Sequence, residues 1–210
     1  MSLVSVEGII DTFFSTMAGP DWRSKLHSVA AKHSACYKSG DFSRVDDIDA
    51  GDRSSRSSRS ALSATVEDDE KLREIGSEMI SGHESVTGDV KDLADDLRDN
   101  RVDSSTAAER MQKKRKEALE AVGRIVHDGF DKAARHIESL PEDQQSGAAD
   151  LYLLISDGFM KFWEMAWGAI LEIVKAVVGW DAGLWEEVED FWERVRNAFE
   201  AAWAWFRSLS

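Results

Sequence analysis

The sequence predicts an all-α protein: an elongated helical bundle or set of helical hairpins, with a flexible linker and a tryptophan-rich amphipathic C-terminal hairpin. Three observations predict it. Only two prolines punctuate 210 residues, and 31% of the residues are charged. Runs of β-branched residues are few. From about residue 66 onward, apolar side chains recur in steps of three and four, the spacing of one helix face.

Three regions follow: residues 1–42 as an N-terminal helical hairpin, 43–64 as a Ser/Arg linker, and 65–210 as a helical bundle. Residues 3–18 read as a short amphipathic helix ended by Gly19-Pro20. Glu7 and Asp11 interrupt its apolar stretch and no basic region precedes it, which argues against a secretory leader. Asp21 is placed to cap a second helix over about 22–38, stopped by Ser39-Gly40. Residues 43–64, including RSSRSSRS at 53–60, are small and polar without periodicity, so proteolysis is expected near Arg53, Arg56 and Arg59.

Residues 66–100 are acidic and helical in pattern. Leu72, Ile75, Met79, Val86, Val90, Leu93 and Leu97 form a thin apolar stripe, with Gly82 where another apolar residue is wanted. Such a helix must lie on something to persist. Over 105–139, Leu119, Val122, Val126, Gly129, Ala133, Ile137 and Leu140 make a fuller stripe. Ser139, Pro141 and Glu142 then read as a capping box with proline in the first helical turn.

The next helix, about 142–179, is apolar over most of its circumference. Met160, Trp163, Trp167, Ile170, Val174 and Val177 form one seam, and Phe159, Phe162, Ala166, Ala169, Ile173, Ala176 and Trp180 a second. Asp157, Lys161, Glu164, Glu172 and Lys175 share the remaining polar stripe, with Asp157–Lys161 and Glu172–Lys175 spaced to pair. Asp181-Ala-Gly183 marks a turn. The last helix, 184–207, repeats Leu184, Val188, Phe191, Val195, Ala198, Ala202, Trp205 and Leu209 with heptad regularity, with Trp185, Trp192, Phe199 and Phe206 on its shoulder.

Seven of the eight tryptophans lie in this C-terminal pair; the other is Trp22. Burying seven indoles contributes on the order of 30 kcal/mol as an upper bound. That surface must meet the fold, a second copy, another protein or a bilayer. The interface residues expected for a membrane or partner are Phe159, Trp163, Trp167, Trp180, Trp185, Phe191, Trp192, Phe199, Trp203 and Phe206. Aromatic stripes at helical spacing are more often core, and that reading stands beside this one.

Net charge is −14, which disfavours nucleic acid and anionic lipid except at a local basic patch. Lys113, Lys114, Arg115 and Lys116 are that patch; on a helix they also suit pairing with the acidic 66–103 segment. The patch matches a minimal nuclear-import signal as well. One cysteine, Cys36, excludes an internal disulfide and favours a reducing, cytoplasmic setting, peripheral to a membrane. His33 and Cys36, with His27 nearby, are at most half of a metal ligand set, and His127–Asp131 reads as an intrahelical pair. Neither a phosphate loop, a dinucleotide fingerprint nor a nucleophile elbow is present, so no cofactor, metal or catalysis is expected. The expected function is non-enzymatic: a hairpin that associates with membranes and self-assembles, able to perturb or shape them. The alternatives are a soluble scaffold acting through helix–helix association with a protein partner, and a small helical enzyme or sensor.

Overall fold

The computed structural model describes residues 21–42, 69–100, 102–179 and 184–208, without the side chains of 178, 179 and 184–187. Among these residues there are five helices and no strand: α1 Trp22–Ser39, α2 Glu70–Asp99, α3 Ser104–Ser139, α4 Glu142–Gly179 and α5 Leu184–Arg207. The fold is all-α, as the periodicity requires. The expected helix at 3–18 and linker at 43–64 lie outside the described residues.

Local chemistry sets most of the boundaries. Asp69 caps α2 by accepting N–H bonds from Lys71 and Leu72, both at 3.1 Å, and Asp103 caps α3 by accepting from Thr106 at 3.0 Å. Asp21 occupies the position before α1, but its side chain makes no capping bond. Gly40 ends α1 at φ 67°, the left-handed conformation, and its N–H reaches the Cys36 carbonyl.

The capping box expected at Ser139 does not form there. Leu140 precedes proline and is held extended at φ −80°, ψ 158°, so α4 starts two residues later than a Ser139 cap would require. The Ser139 hydroxyl instead donates to the His136 carbonyl and closes α3.

The helix α4 is the central element. It packs against α5, α3, α2 and α1, while α1 also packs on α3, and α2 on α3 and α5. A single apolar core therefore runs from Trp22 to Ala202, and α1 shares it with the later helices despite the separation in sequence.

The thin stripe expected on α2 is broader in the fold. Gly76, Ile80, His83, Thr87 and Ala94 are buried along with Leu72, Ile75, Met79, Val90 and Leu97, whereas Val86 and Leu93 are half-buried. The inward positions run 72, 76, 79, 83, 87, 90, 94 and 97. The gap assigned to Gly82 is therefore not in the seam: His83, one residue on, takes the inward place. Ion pairs lace the outside, including Arg23–Glu138, Lys132–Glu78 and Arg110–Asp96. Exposed pairs of this kind each contribute roughly 1 kcal/mol or less.

Candidate functional site

The aromatic heart of the bundle forms where α1, α2 and α4 meet. Trp163 and Trp167 stand one turn apart on α4, and their rings are 5.8 Å apart. Phe42, just past α1, lies against both, at 6.4 Å from Trp163 and 6.0 Å from Trp167. Trp163 is wholly buried, Trp167 is 2% exposed, and Phe159 is 1% exposed. Trp192 and Phe199 of α5 are buried too; Phe191, Trp203 and Phe206 are half-buried. Trp180 lies outside the described residues, and the side chain of Trp185 does too. In this conformation the first seam of α4 is core, because four other helices cover it.

Polar atoms in that core are unevenly satisfied. The indole N–H groups of Trp163, Trp167 and Trp192 are buried with no hydrogen-bond partner among the described residues. Each such group costs about 1–3 kcal/mol relative to a paired one. Trp203 differs: its N–H donates to Glu84 at 3.1 Å, on the surface of α2. Trp22 at the other end donates to Gln145 at 3.0 Å.

Two histidines penetrate the same core. His83 is wholly buried. Its Nδ1 lies 2.7 Å from the Met79 carbonyl, which can only accept, so Nδ1 carries the proton. The neutral ring then offers Nε2 as an acceptor, and the Tyr37 hydroxyl is 3.2 Å away. That hydroxyl is also 3.0 Å from Met160 Sδ, so one proton faces two acceptors. Phe159 and Trp163 meet the imidazole edge to face at 4.5 Å and 4.6 Å. Burial pushes the imidazole down to about 3, opposed only in part by the Met79 carbonyl. The Tyr37 hydroxyl is held well above its ordinary range by burial and then by Cys36 and Tyr152, so it stays protonated.

His33 of α1 is 1% exposed. Its Nδ1 is 3.1 Å from the buried Ser156 hydroxyl, and its Nε2 is 3.2 Å from Asp157 Oδ1, close in charge but off the line of a hydrogen bond. Asp157 therefore turns one carboxylate oxygen toward α1. Glu172 and Lys175 do pair, at 2.7 Å. Cys36 is buried, and burial and Asp41 raise its thiol, which makes it a poor nucleophile. Among the described residues no group of three or more His, Cys, Asp or Glu side chains converges as a metal site requires.

The basic patch on α3 is engaged with acidic neighbours. Lys114 reaches Asp89 of α2 at 3.0 Å, while Lys113 faces Glu117 and Lys116 faces Glu120 along the helix, both at 3.9 Å. Arg115 turns inward, its guanidinium near Gly40. His127 and Asp131 form the expected i,i+4 pair at 3.3 Å. Among the described residues no helix is long and apolar enough to cross a membrane.

Sequence reasoning passed over Tyr37, Phe42, His83 and Ser156. His83 carried a usable signal, since it stands four residues after Met79 on the inward face. No family model, curated protein or solved structure matches the chain.

Proposed function

We propose that this protein is a non-enzymatic, membrane-active helical bundle whose C-terminal hairpin, α4 and α5, is stored in the closed fold and associates with lipid when released. The observation that carries the reading is the enclosure of a long, apolar, indole-bearing helix by amphipathic partners, with three indole N–H groups of the hairpin that have no partner among the described residues. Indoles gain at a bilayer interface, where the ring is buried and the N–H meets headgroups or water. The hairpin carries more acidic than basic residues, so binding follows apolar burial rather than attraction to anionic headgroups. The hairpin lies in the interface plane, and the apolar faces left over join neighbouring copies, so that the bound form is a homo-oligomer.

The test is flotation of the full chain with neutral and with anionic vesicles at low and high salt, using vesicles with brominated acyl chains. A blue shift is a poor readout, because Trp163, Trp167 and Trp192 are already buried in the closed fold. Quenching by the bromine atoms reports lipid contact directly. Binding to both vesicle types, weakly dependent on salt, with quenched emission and cross-linked oligomers, supports the reading. Absence of binding to either type assigns the hairpin to the core of a soluble scaffold.

A further inference from the structure

We propose that His83 is an acid-sensitive pin: the closed bundle needs its imidazole neutral, and proton uptake in a mildly acidic medium frees α4 and α5 from α1 and α2. The release itself stands on the core geometry alone; that the freed hairpin goes to lipid rests on the reading above.

The imidazole joins three helices. It belongs to α2, receives Tyr37 of α1, and is packed by Phe159 and Trp163 of α4. A second proton on Nε2 turns that atom into a donor. The Tyr37 oxygen then accepts from it, and the Tyr37 O–H turns to Met160 Sδ at 3.0 Å. The hydrogen bonds survive, so the cost of charging lies elsewhere. It lies in the absence, among the described residues, of a counter-charge on the ring.

The groups that face His83 supply none. From α1, Tyr37 remains a neutral phenol, and the neighbouring Cys36 thiol is raised by burial. From α2 itself, the Met79 carbonyl accepts from the ring, and the Thr87 hydroxyl donates to the His83 carbonyl at 2.8 Å. From α4, Phe159, Trp163 and Met160 are not ionisable. From α3, Ile125 packs at the adjacent Gly82 and brings no charge. From α5, Trp203 holds the Glu84 carboxylate at the surface. Among the described residues, Asp157 lies beside His33, Asp41 and Glu164 act on Cys36, and the influences on the His83 ring are burial and the Met79 carbonyl. A charged imidazole at this position is surrounded by aromatic rings and sulfur, and burial penalises it heavily.

The direction of the pH effect follows. Burial holds the ring down to about 3 in the closed fold, against an ordinary histidine near 6.5 once released. Closure is therefore fully favoured above about pH 6.5 and loses ground steadily as pH falls from there toward 3. Between pH 7 and pH 5 the opening constant rises about 25-fold from this one group.

The experiment compares the full chain with His83→Gln in lipid-free buffer. Urea unfolding is followed by near-ultraviolet circular dichroism at intervals from pH 7.5 to 4.5. The wild-type opening constant should rise about 25-fold more than the variant's between pH 7 and 5. Equal pH responses overturn the pin. If His83→Gln does not fold, the wild-type imidazole signals are titrated by nuclear magnetic resonance. A His83 ring neutral at pH 5 in the native spectrum supports the proposal, and one that protonates near 6.5 with the native spectrum intact overturns it. Vesicle flotation at pH 7 and 5 separates the two readings. Acid opening without flotation keeps the pin and removes the membrane reading. Equal unfolding responses of wild type and variant, with flotation at both pH values, remove the pin and keep the membrane reading.

Discussion

The His83 imidazole and the Trp163 indole meet edge to face, 4.6 Å between centroids and 74° between planes, although they come from different helices. The contact ties the acidic helix α2 to the apolar centre of α4. It also places an ionisable group of the core against an indole whose N–H has no partner among the described residues. Stability and reactivity to acid therefore converge on one spot.

Trp163 provides a direct measure of that unpaired N–H. Trp163→Ala empties a fully buried site and should cost about 3–5 kcal/mol. Trp163→Phe keeps a ring and deletes the orphaned donor, so the two effects oppose each other. The Phe variant should lie within about 1.5 kcal/mol of wild type in urea unfolding at pH 7.5. A loss near that of the Ala variant would mean that the indole N–H is satisfied after all.

Gly158 tests the α4–α5 packing. A Cβ there would overlap the six-membered edge of the Trp205 indole. Alanine in a helix interior normally gains about 1 kcal/mol over glycine. Here the rigid ring must move, so Gly158→Ala should be net destabilising by about 1–3 kcal/mol. Calorimetry of the variant beside Gly168→Ala is the check, because none of the described residues lies within 4 Å of a Cβ at Gly168. Equal stabilisation by both would show that Trp205 does not pack where the fold places it.

Much of this architecture is legible in the sequence, and the limits have physical causes. Helices α4 and α5 match their expected spans because Pro141 and Gly183 punctuate strongly periodic segments. The stripe on α3 is right for the same reason, with Val122, Val126, Ala133 and Ile137 all buried. The cap at Ser139 fails because the restriction that proline imposes on Leu140 outweighs the hydroxyl's preference. The core around His83 is not legible. A histidine counts as polar in any periodicity, and its neighbours Tyr37, Phe159 and Trp163 are distant in the chain. Whether the tryptophan seam faces inward or outward depends on what covers it, and that information lies in four other helices.

The basic patch separates two routes to lipid. Lys114 already serves Asp89, and Lys113 and Lys116 lie beside glutamates. Changing Lys113, Lys114 and Lys116 together to Gln should leave vesicle binding and its salt dependence nearly unchanged, and stability within about 1 kcal/mol. Loss of binding confined to anionic vesicles, and abolished by salt in the wild type, would make the patch the contact and the hairpin a bystander.

Val195 carries the decisive prediction for a stored hairpin. It is 3% exposed, on the face of α5 turned to the core. Val195→Asp places a carboxylate among apolar side chains, which disfavours closure unless α5 swings out. Swinging out uncovers α4, the helix that the other four conceal. A hairpin that prefers lipid should then bind neutral vesicles more readily than wild type at pH 7.5, although the variant is less stable in urea. The gain should grow with the loss of stability across a series of Val195→Ala, Val195→Thr and Val195→Asp. Flotation with brominated lipid reads the first quantity and urea unfolding the second. Destabilised variants that aggregate without joining vesicles, or that bind no better than wild type, would show that the tryptophans serve cohesion alone. Binding that rises along the series would make the closed bundle the restraint on an intrinsically lipid-seeking hairpin.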